Sequence, residues 1–239
     1  MSDSQDSSAE GNGFHPAAIP PGPVDLAARR QEMVERQLRK RGIRDDRVLA
    51  AMLSVPRHQF VPSEFAAEAY SDRPLPIGHG QTISQPFMVA AMAEALELLG
   101  SERVLEIGAG SGYQAAVLSL LAREVHTVEM QQDLATDSAE RLHRLGYGNV
   151  HVHAGDGTLG WPQEAAFDAI VVTAAAPDIP PPLAEQLANG GRLIIPVGTA
   201  EEQRLLRVEK RDHALSTRPL YHCRFVPLLG RYGWQADMD

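Results

Sequence analysis

The glycine-rich stretch at residues 104–113 constrains the fold of this chain more than any other segment. It reads Val-Leu-Glu-Ile-Gly-Ala-Gly-Ser-Gly-Tyr, and an apolar run suited to a helix follows at 115–118. A strand that passes through a glycine turn into a helix lets a ligand approach bare backbone at the amino end of that helix. The spacing Gly108-x-Gly110-x-Gly112 differs from the Gly-x-Gly-x-x-Gly of dinucleotide-binding proteins. The stretch therefore predicts one strand, one ligand-binding loop and one helix of an α/β fold.

Strand-like apolar runs alternate with helical patterns from residue 103 onwards. The predicted strands are 103–107, 124–129, 149–154, 167–173 and 191–197, with two further strands at about 203–210 and 217–226. The predicted helices among them are 113–122, 132–146 and 181–188. Because the run at 167–173 is nearly all apolar, both of its faces must be covered, as in a parallel sheet. This alternation predicts an α/β fold with a doubly wound, mostly parallel, Rossmann-like sheet.

The first hundred residues predict a helical extension on the amino side of that sheet. Helical patterns cover 26–41, 47–53 and 87–99, and Asp25 and Gly42 suit the start and the end of the first. Residues 1–24 are rich in Ser, Gly, Pro, Asp and Ala and contain neither Lys nor Arg, so a disordered tail is expected there. We predict one domain over 25–235, with its helical part at 25–100 and its sheet at 101–235.

The composition limits the compartment and the partners that we expect for this protein. The net charge of −9 and a pI near 5.5 provide no global field that favours nucleic acid. A single cysteine, Cys223, excludes an intrachain disulfide and suits a reducing compartment. No apolar run approaches the roughly 18–20 residues that span a bilayer, and no secretory signal is evident. A cytoplasmic protein without a membrane or nucleic-acid partner is expected, and a monomer, since no oligomerisation segment is visible.

Two acids follow successive strands of the predicted sheet. Glu129 ends the strand at 124–129, and Asp156 lies between two glycines after the strand at 149–154. Ligands of open α/β sheets bind beyond the carboxyl ends of the strands. There Glu129 can accept hydrogen bonds from both ribose hydroxyls of a nucleoside, and Asp156 from an adenine amino group. Each acid also has an ordinary role available, as an exposed strand end or a turn former. Taken together with the glycine loop, they predict a nucleoside site.

The glycine spacing favours S-adenosylmethionine among nucleosides. NAD needs a loop that cradles its pyrophosphate, whereas position 113 is Tyr. S-Adenosylmethionine carries no phosphate, and the acid Glu106 can order the loop and meet the ammonium group of this ligand. Three alternatives stay open: a methyltransferase for another small acid or for nucleic acid, a nucleoside-binding protein without catalysis, and an NAD-dependent oxidoreductase. The glycine spacing disfavours the last of these.

The segment 75–88, Leu-Pro-Ile-Gly-His-Gly-Gln-Thr-Ile-Ser-Gln-Pro-Phe-Met, closely resembles the signature loop of protein-L-isoaspartate O-methyltransferases. Other segments that are similar to this family are 104–113, 155–157, 167–177, 55–61 and 225–228. The resemblance covers roughly residues 25–230. It implies the methyltransferase form of the α/β fold and a repair enzyme. That enzyme moves a methyl group from S-adenosylmethionine to the free α-carboxylate of L-isoaspartyl residues in damaged proteins and peptides.

The resemblance also implies roles for individual residues. Ser84 is the catalytic residue, whose hydroxyl orients the substrate carboxylate; its alternative role is the N-cap of the helix that follows. The cofactor-binding residues are Thr82, Ile83, Glu106, Gly108, Gly110, Gly112, Glu129, Asp156 and Gly157. The residues that line the peptide groove are Ile77, Gly78, His79 and Val226. His151 and His153 lie two apart on one strand face, but because no third ligand is evident, no metal is expected.

Overall fold

The computed structural model describes residues 25–235, so the predicted tail at 1–24 lies outside the described residues. Two short strands, β1 Leu75–Gly78 and β2 Gln81–Ile83, pair antiparallel as a separate hairpin. A larger sheet has seven strands. They are β3 Arg103–Ile107, β4 Glu124–Glu129, β5 Val150–Ala154, β6 Phe167–Val172, β7 Leu187–Gly198, β8 Gln203–Arg211 and β9 Ala214–Cys223.

The order of the strands in the large sheet is β5-β4-β3-β6-β7-β8-β9. The five strands from β5 to β7 pair parallel, and β8 and β9 extend that sheet antiparallel. The chain runs outwards from β3 to β5 on one side and from β6 onwards on the other. The order therefore reverses between β3 and β6, which is the switch point where such sheets bind ligands. The doubly wound, mostly parallel α/β fold is confirmed.

Six α-helices accompany the strands. They are α1 Leu26–Glu32, α2 Asp46–Ser54, α3 Pro86–Ala95, α4 Tyr113–Ser119, α5 Gln132–Arg144 and α6 Pro181–Gln186. The side chain of Asp25 caps α1 by accepting hydrogen bonds from two backbone N–H groups. The chain continues from α1 through a π-helical and a 3₁₀ turn to Gly42, whose φ of +108° ends the helical run as predicted. Each described helix is too short or too polar to cross a membrane.

Two predicted helix ends move because of contacts with distant parts of the chain. The helix predicted at 181–188 ends at Gln186, because Leu187 is extended and pairs with β6. The helix predicted at 87–99 ends at Ala95, and Glu97 follows in a left-handed conformation with φ +49° while its carboxylate binds Arg207 of β8. The β1–β2 hairpin was not predicted, because its strands are too short to produce a periodicity signal.

The central strands are buried on both faces, as the apolar run of β6 predicted. Ala169 and Val171 join one hydrophobic cluster with the amino-terminal helices, while Ile170 and Val172 join a second cluster on the opposite face. Fully burying an aliphatic side chain of this size is worth roughly 1.5–3 kcal/mol, so the two layers stabilise the sheet where the switch point lies. Every residue of α4 is buried, because the amino-terminal helices cover its outer side.

Candidate functional site

A cleft of about 870 Å³, open to solvent at its mouth, lies at the carboxyl ends of β3, β4 and β6. That volume includes the open solvent at the mouth, and a concave site lined by a few convergent polar groups is the usual form of a small-molecule site. The glycine loop forms its floor, the β1–β2 hairpin one side, and the segment around Val226 another. The predicted site residues that line it are Thr82, Ile83, Ser84, Gly108, Gly110, Glu129, Gly157 and Val226.

At the first two glycines of the loop, a side chain would meet neighbouring protein atoms. A Cβ on Gly108, whose φ is +95°, would lie 2.4 Å from the hydroxyl oxygen of Thr173. That hydroxyl is held in place, because it donates to the carbonyl oxygen of Gly108 at 2.7 Å. A Cβ on Gly110 would lie 3.4 Å from Cδ1 of Ile77, at a φ of +51°. Without side chains at these two positions, the loop packs against Thr173 and Ile77 and lines the cleft with backbone, which lets a nucleoside cofactor approach it closely.

Glu129 ends β4 with its carboxylate over the loop. Its Oε2 accepts from the backbone N–H of Gly110 at 2.9 Å, and its Oε1 accepts from that of Gln131 at 3.0 Å. A carboxylate offers about four acceptor positions, so two remain free for a ligand after these bonds. The side chain is thus fixed in position and is still able to accept from two vicinal hydroxyls, which is the arrangement of a ribose.

Glu106 lies inside the protein and does not line the cleft. The residue is 0% exposed, and neither carboxylate oxygen has a hydrogen-bond partner among the described residues. Burial, with the nearby charge of Glu129, raises the pKa of Glu106 to about 8. The structure thus places this acid within β3, near Glu129 and away from the cleft lining.

Gly112 also lies away from the cleft. Its φ is +85°, and a Cβ there would approach Cδ1 of Leu142 to 3.1 Å. The missing side chain lets the start of α4 pack closely against α5. The third glycine of the motif therefore serves the packing of two helices, whereas the first two shape the ligand floor.

Asp156 does not line the cleft, and its carboxylate is occupied by the protein itself. Its Oδ1 accepts from the N–H of Thr158 at 2.9 Å and from the Thr158 hydroxyl at 2.7 Å. Its Oδ2 accepts from the N–H of Arg231 at 2.8 Å. These hydrogen bonds are those of a turn former, which is one of the two roles that the sequence left open for Asp156. Gly157 does reach the cleft, and a Cβ on it would lie 2.5 Å from Cγ2 of Ile107.

Ser84 lies directly after β2, half-buried in the cleft wall. Helix α3 begins at Pro86, and its N-cap position is taken by Gln85 without a side-chain hydrogen bond. The alternative role of Ser84 as an N-cap is therefore wrong. Its hydroxyl lies in the same cleft as the glycine loop, which is the position that an acceptor-orienting group needs.

The predicted groove residues divide between the hairpin turn and the cleft. Gly78 and His79 form the turn with φ values of +91° and +52°, and neither lines the cleft. The carbonyl oxygen of His79 accepts from the side-chain amide of Gln131, which ties the turn to the cleft wall at 3.3 Å. Ile77 lies against Gly110, and Val226 lines the cleft on the opposite side.

Several cleft residues escaped the sequence analysis. The polar ones among them are Gln81, Ser111, Gln114 and Gln131. Gln81, Ser111 and Gln131 were detectable, since each lies outside a helix and within two residues of a predicted ligand-binding residue. Gln114 lies in the first turn of α4, within an apolar pattern, and no local signal distinguishes it from a residue that faces the core.

Three histidines of β4 and β5 form a cluster at the β5 edge of the large sheet. His126, which the sequence analysis did not include, lies 3.1 Å by its Nδ1 from Nε2 of His153 and 2.6 Å by its Nε2 from Oε1 of Glu124. His151 stacks on His126, and Trp161 stacks on His153 with ring centroids 4.1 Å apart. Within residues 25–235, no group of three or more His, Cys, Asp or Glu side chains has an arrangement that holds a metal.

The Rossmann-like sheet, the glycine loop at its switch point and the acid at the end of the next strand define an S-adenosylmethionine-dependent methyltransferase. A family model described as protein-L-isoaspartate(D-aspartate) O-methyltransferase matches residues 28–233. The chain belongs to this family.

Individual relatives support the same family assignment. The chain is 58% identical over 209 residues to a protein-L-isoaspartate O-methyltransferase of Geobacter metallireducens, covering 87% of this chain and 97% of that protein. It is 56% identical to one from Methanoculleus marisnigri, over 88% of this chain and 96% of the other.

Two solved structures share the fold. A protein-L-isoaspartate O-methyltransferase has a TM-score of 0.77 at 31% identity, covering 85% of this chain and 67% of its own. A Plasmodium falciparum protein described as a beta-aspartate methyltransferase, in complex with S-adenosyl-L-homocysteine, has a TM-score of 0.71 at 30% identity. That similarity covers 84% of this chain and 98% of the other.

Proposed function

We propose that this protein is a repair enzyme that methylates the free α-carboxylate of L-isoaspartyl residues in damaged proteins and peptides. S-Adenosylmethionine is the methyl donor. The observation that carries the proposal is that a single cleft joins the bare glycine loop to the hairpin that bears Ser84. The membership of the chain in the isoaspartate methyltransferase family supports the acceptor.

The residues of the cleft fit this cofactor. Gly108 and Gly110 leave the backbone open to a close approach, Glu129 retains acceptor positions for two hydroxyls, and Gly157 keeps the adjoining wall free of a side chain. We propose that Thr82 and Ile83 complete the cofactor side from β2. When bound, the cofactor supplies a methyl group that its sulfonium leaving group already activates.

The reaction demands little of the side chains. The α-carboxylate of the substrate is ionised at pH 7 and is itself the nucleophile, so no general base is needed. One of its oxygens forms the new bond to the methyl carbon as the carbon–sulfur bond breaks, which leaves S-adenosylhomocysteine. Ser84 acts by donating a hydrogen bond that holds the carboxylate in line with that bond. The apolar wall around Val226 and Ile83 excludes water that would otherwise solvate the carboxylate.

We propose that the hairpin turn and the segment around Val226 bind the peptide on either side of the reacting residue. Ile77, Gly78 and His79 lie at the outer edge of the hairpin, where an extended chain can reach Ser84. This placement leaves the cofactor on the sheet side and the damaged protein on the solvent side.

We also propose that residues 25–235 fold as one domain and that the enzyme works as a cytoplasmic monomer without nucleic-acid or membrane partners. One hydrophobic cluster includes Met33 of the amino-terminal helices and Val104 of β3, which supports a single unit. The acidic balance of the chain and its lone cysteine support the setting.

A paired-peptide assay tests the function. Two synthetic peptides of one sequence, one with an isoaspartyl and one with an aspartyl linkage, are incubated with the enzyme and labelled S-adenosylmethionine. Methyl ester is expected on the isoaspartyl peptide alone. Equal labelling of both peptides, or of neither, contradicts the proposal.

A further inference from the structure

Gln114 is a polar residue of the cleft wall that the proposed mechanism leaves without a role. It lies in the first turn of α4, directly after the glycine loop and Tyr113. The residue is only 7% exposed and lines the cleft that also contains Ser84 and Thr82. Its position is therefore between the cofactor floor and the catalytic hairpin.

The side-chain amide nitrogen of Gln114 is buried and has no hydrogen-bond partner among residues 25–235. Leaving a buried donor unpaired costs roughly 1–3 kcal/mol, because the group loses its bonds to water and gains none in return. Since this donor belongs to a side chain of the cleft wall, the acceptor that satisfies it can come from a ligand.

Three other polar side chains of the cleft already have partners in the protein. The Thr173 hydroxyl donates to the carbonyl of Gly108, and the Gln131 amide donates to the carbonyl of His79. Both oxygens of Glu129 accept backbone N–H groups. Gln114 differs from these three because its donor is buried and has no acceptor among the described residues.

We propose that the side-chain amide of Gln114 donates a hydrogen bond to a ligand carboxylate in the cleft. The inference rests on the proposed function, in which two carboxylates enter this cleft: the reacting α-carboxylate of the isoaspartyl residue and the methionine carboxylate of the donor. Both present the same chemistry to an N–H donor. Gln114 then acts alongside Ser84 when its partner is the substrate, and as a cofactor-binding residue when its partner is the donor.

The effect of removing the amide follows from the charge of its partner. A hydrogen bond to a charged group contributes roughly 1.5–3 kcal/mol, which corresponds to about a 10- to 140-fold loss in affinity or in kcat/KM. Gln114→Leu keeps most of the volume of the side chain and removes the donor. Gln114→Glu keeps the shape and places a negative charge opposite the carboxylate, so it is expected to lose more than Gln114→Leu.

Gln186 provides the matched control for the folded state. It is also buried, but its amide donates to the carbonyl of Leu159 at 2.7 Å and accepts from the N–H of Trp161 at 2.8 Å. Gln186→Leu breaks two satisfied bonds and is expected to lower the melting temperature. Gln114→Leu removes an unpaired group, so its melting temperature is expected to match or exceed that of the wild type.

The experiment uses full-length wild-type and variant enzymes with three measurements. Calorimetry gives the affinities for S-adenosylhomocysteine, which carries the methionine carboxylate, and for 5′-methylthioadenosine, which lacks it. The methylation assay gives kcat and KM for an isoaspartyl peptide. A tenfold or greater loss for S-adenosylhomocysteine with unchanged methylthioadenosine affinity supports the inference with the donor carboxylate as partner. A similar loss in kcat/KM for the peptide, with both nucleoside affinities unchanged, supports it with the substrate carboxylate.

Three results overturn the inference. They are unchanged values in all three measurements, an equal loss in all three, and a fall in melting temperature like that of Gln186→Leu. The nucleoside measurements do not depend on the acceptor. If wild-type enzyme binds S-adenosylhomocysteine but leaves the isoaspartyl peptide unmethylated, the proposed function fails while the role of Gln114 is still decided by calorimetry.

Discussion

Replacing Glu106 with Gln removes a titrating charge from the interior of the protein with little change of shape. The carboxylate of Glu106 is fully buried without a hydrogen-bond partner among the described residues, and its pKa is raised from 4.5 to about 8. A carboxyl group with a raised folded-state pKa contributes most to stability below its unfolded pKa. That contribution is lost as the pH rises from about 4.5 through 8.

The size of the effect follows from the two pKa values. One pKa unit corresponds to 1.36 kcal/mol, so ionisation of Glu106 costs the wild type about 1 kcal/mol at pH 5 and ~4 kcal/mol at pH 8. Gln carries no charge at either pH. The free energy of unfolding of Glu106→Gln, relative to the wild type, is therefore expected to rise by about 3 kcal/mol between pH 5 and pH 8.

Urea unfolding at pH 5, 6, 7 and 8 measures this difference directly, with the m-value checked for constancy. Glu102→Gln is the control, because Glu102 is also buried but accepts from the backbone N–H groups of Leu99 and Gly100. Although burial opposes them, these donors hold the pKa of Glu102 below its usual value. Glu102→Gln is expected to be less stable than the wild type by an amount that stays constant above pH 5. A difference for Glu106→Gln that is flat across the same range refutes the reasoning.

Three further variants test other parts of the molecule. Ser84→Ala is expected to lower kcat by tenfold or more while calorimetry shows S-adenosylhomocysteine affinity nearly unchanged; a large loss of that affinity contradicts the catalytic role. Gly110→Val is expected to abolish cofactor binding, because a branched side chain is strained at a φ of +51° and would push against Ile77, which displaces the loop floor; unchanged affinity by calorimetry contradicts this. Burial and the neighbouring His126 and His151 lower the pKa of His153 to about 4, so stability is lost as the pH falls from 6.5 towards 4. His153→Gln is expected to lose less melting temperature than the wild type between pH 7 and pH 5, and an equal loss contradicts the assignment.

The parts of the fold that the sequence predicts well are those with a local signal. The apolar run of β6 and the glycine loop before α4 depend on residues that are neighbours in the chain, and both are confirmed. The end of α3 and the end of α6 moved because Arg207 and Phe167, far away in sequence, bind or pair with the residues beyond them. Helix ends are sensitive to such contacts, since adding or losing one turn changes the local free energy little.

The predicted site residues also separate into those whose position follows from a local pattern and those whose contacts depend on distant residues. Glu129 and Asp156 both follow strands and looked equivalent in sequence, but Glu129 faces the cleft whereas Asp156 binds the backbone of Arg231, 75 residues away. Gly112 belongs to the same motif as Gly108, but its partner is Leu142 of α5. A strand or turn position shows where a residue lies along the chain, and the packing of distant elements decides what its side chain meets.

The sequence by itself determined the class of fold and the cofactor loop, because glycine spacing and apolar periodicity are properties of short stretches. The segment that carries Ser84 was identified by its resemblance to a known family signature. Only the tertiary structure decided which acid lines the cleft, which glycine serves packing, and that Gln114 of the cleft wall has a buried donor without a partner among the described residues. The physical reason is that hydrogen-bond satisfaction and burial depend on atoms brought together from remote parts of the chain, which no local pattern records.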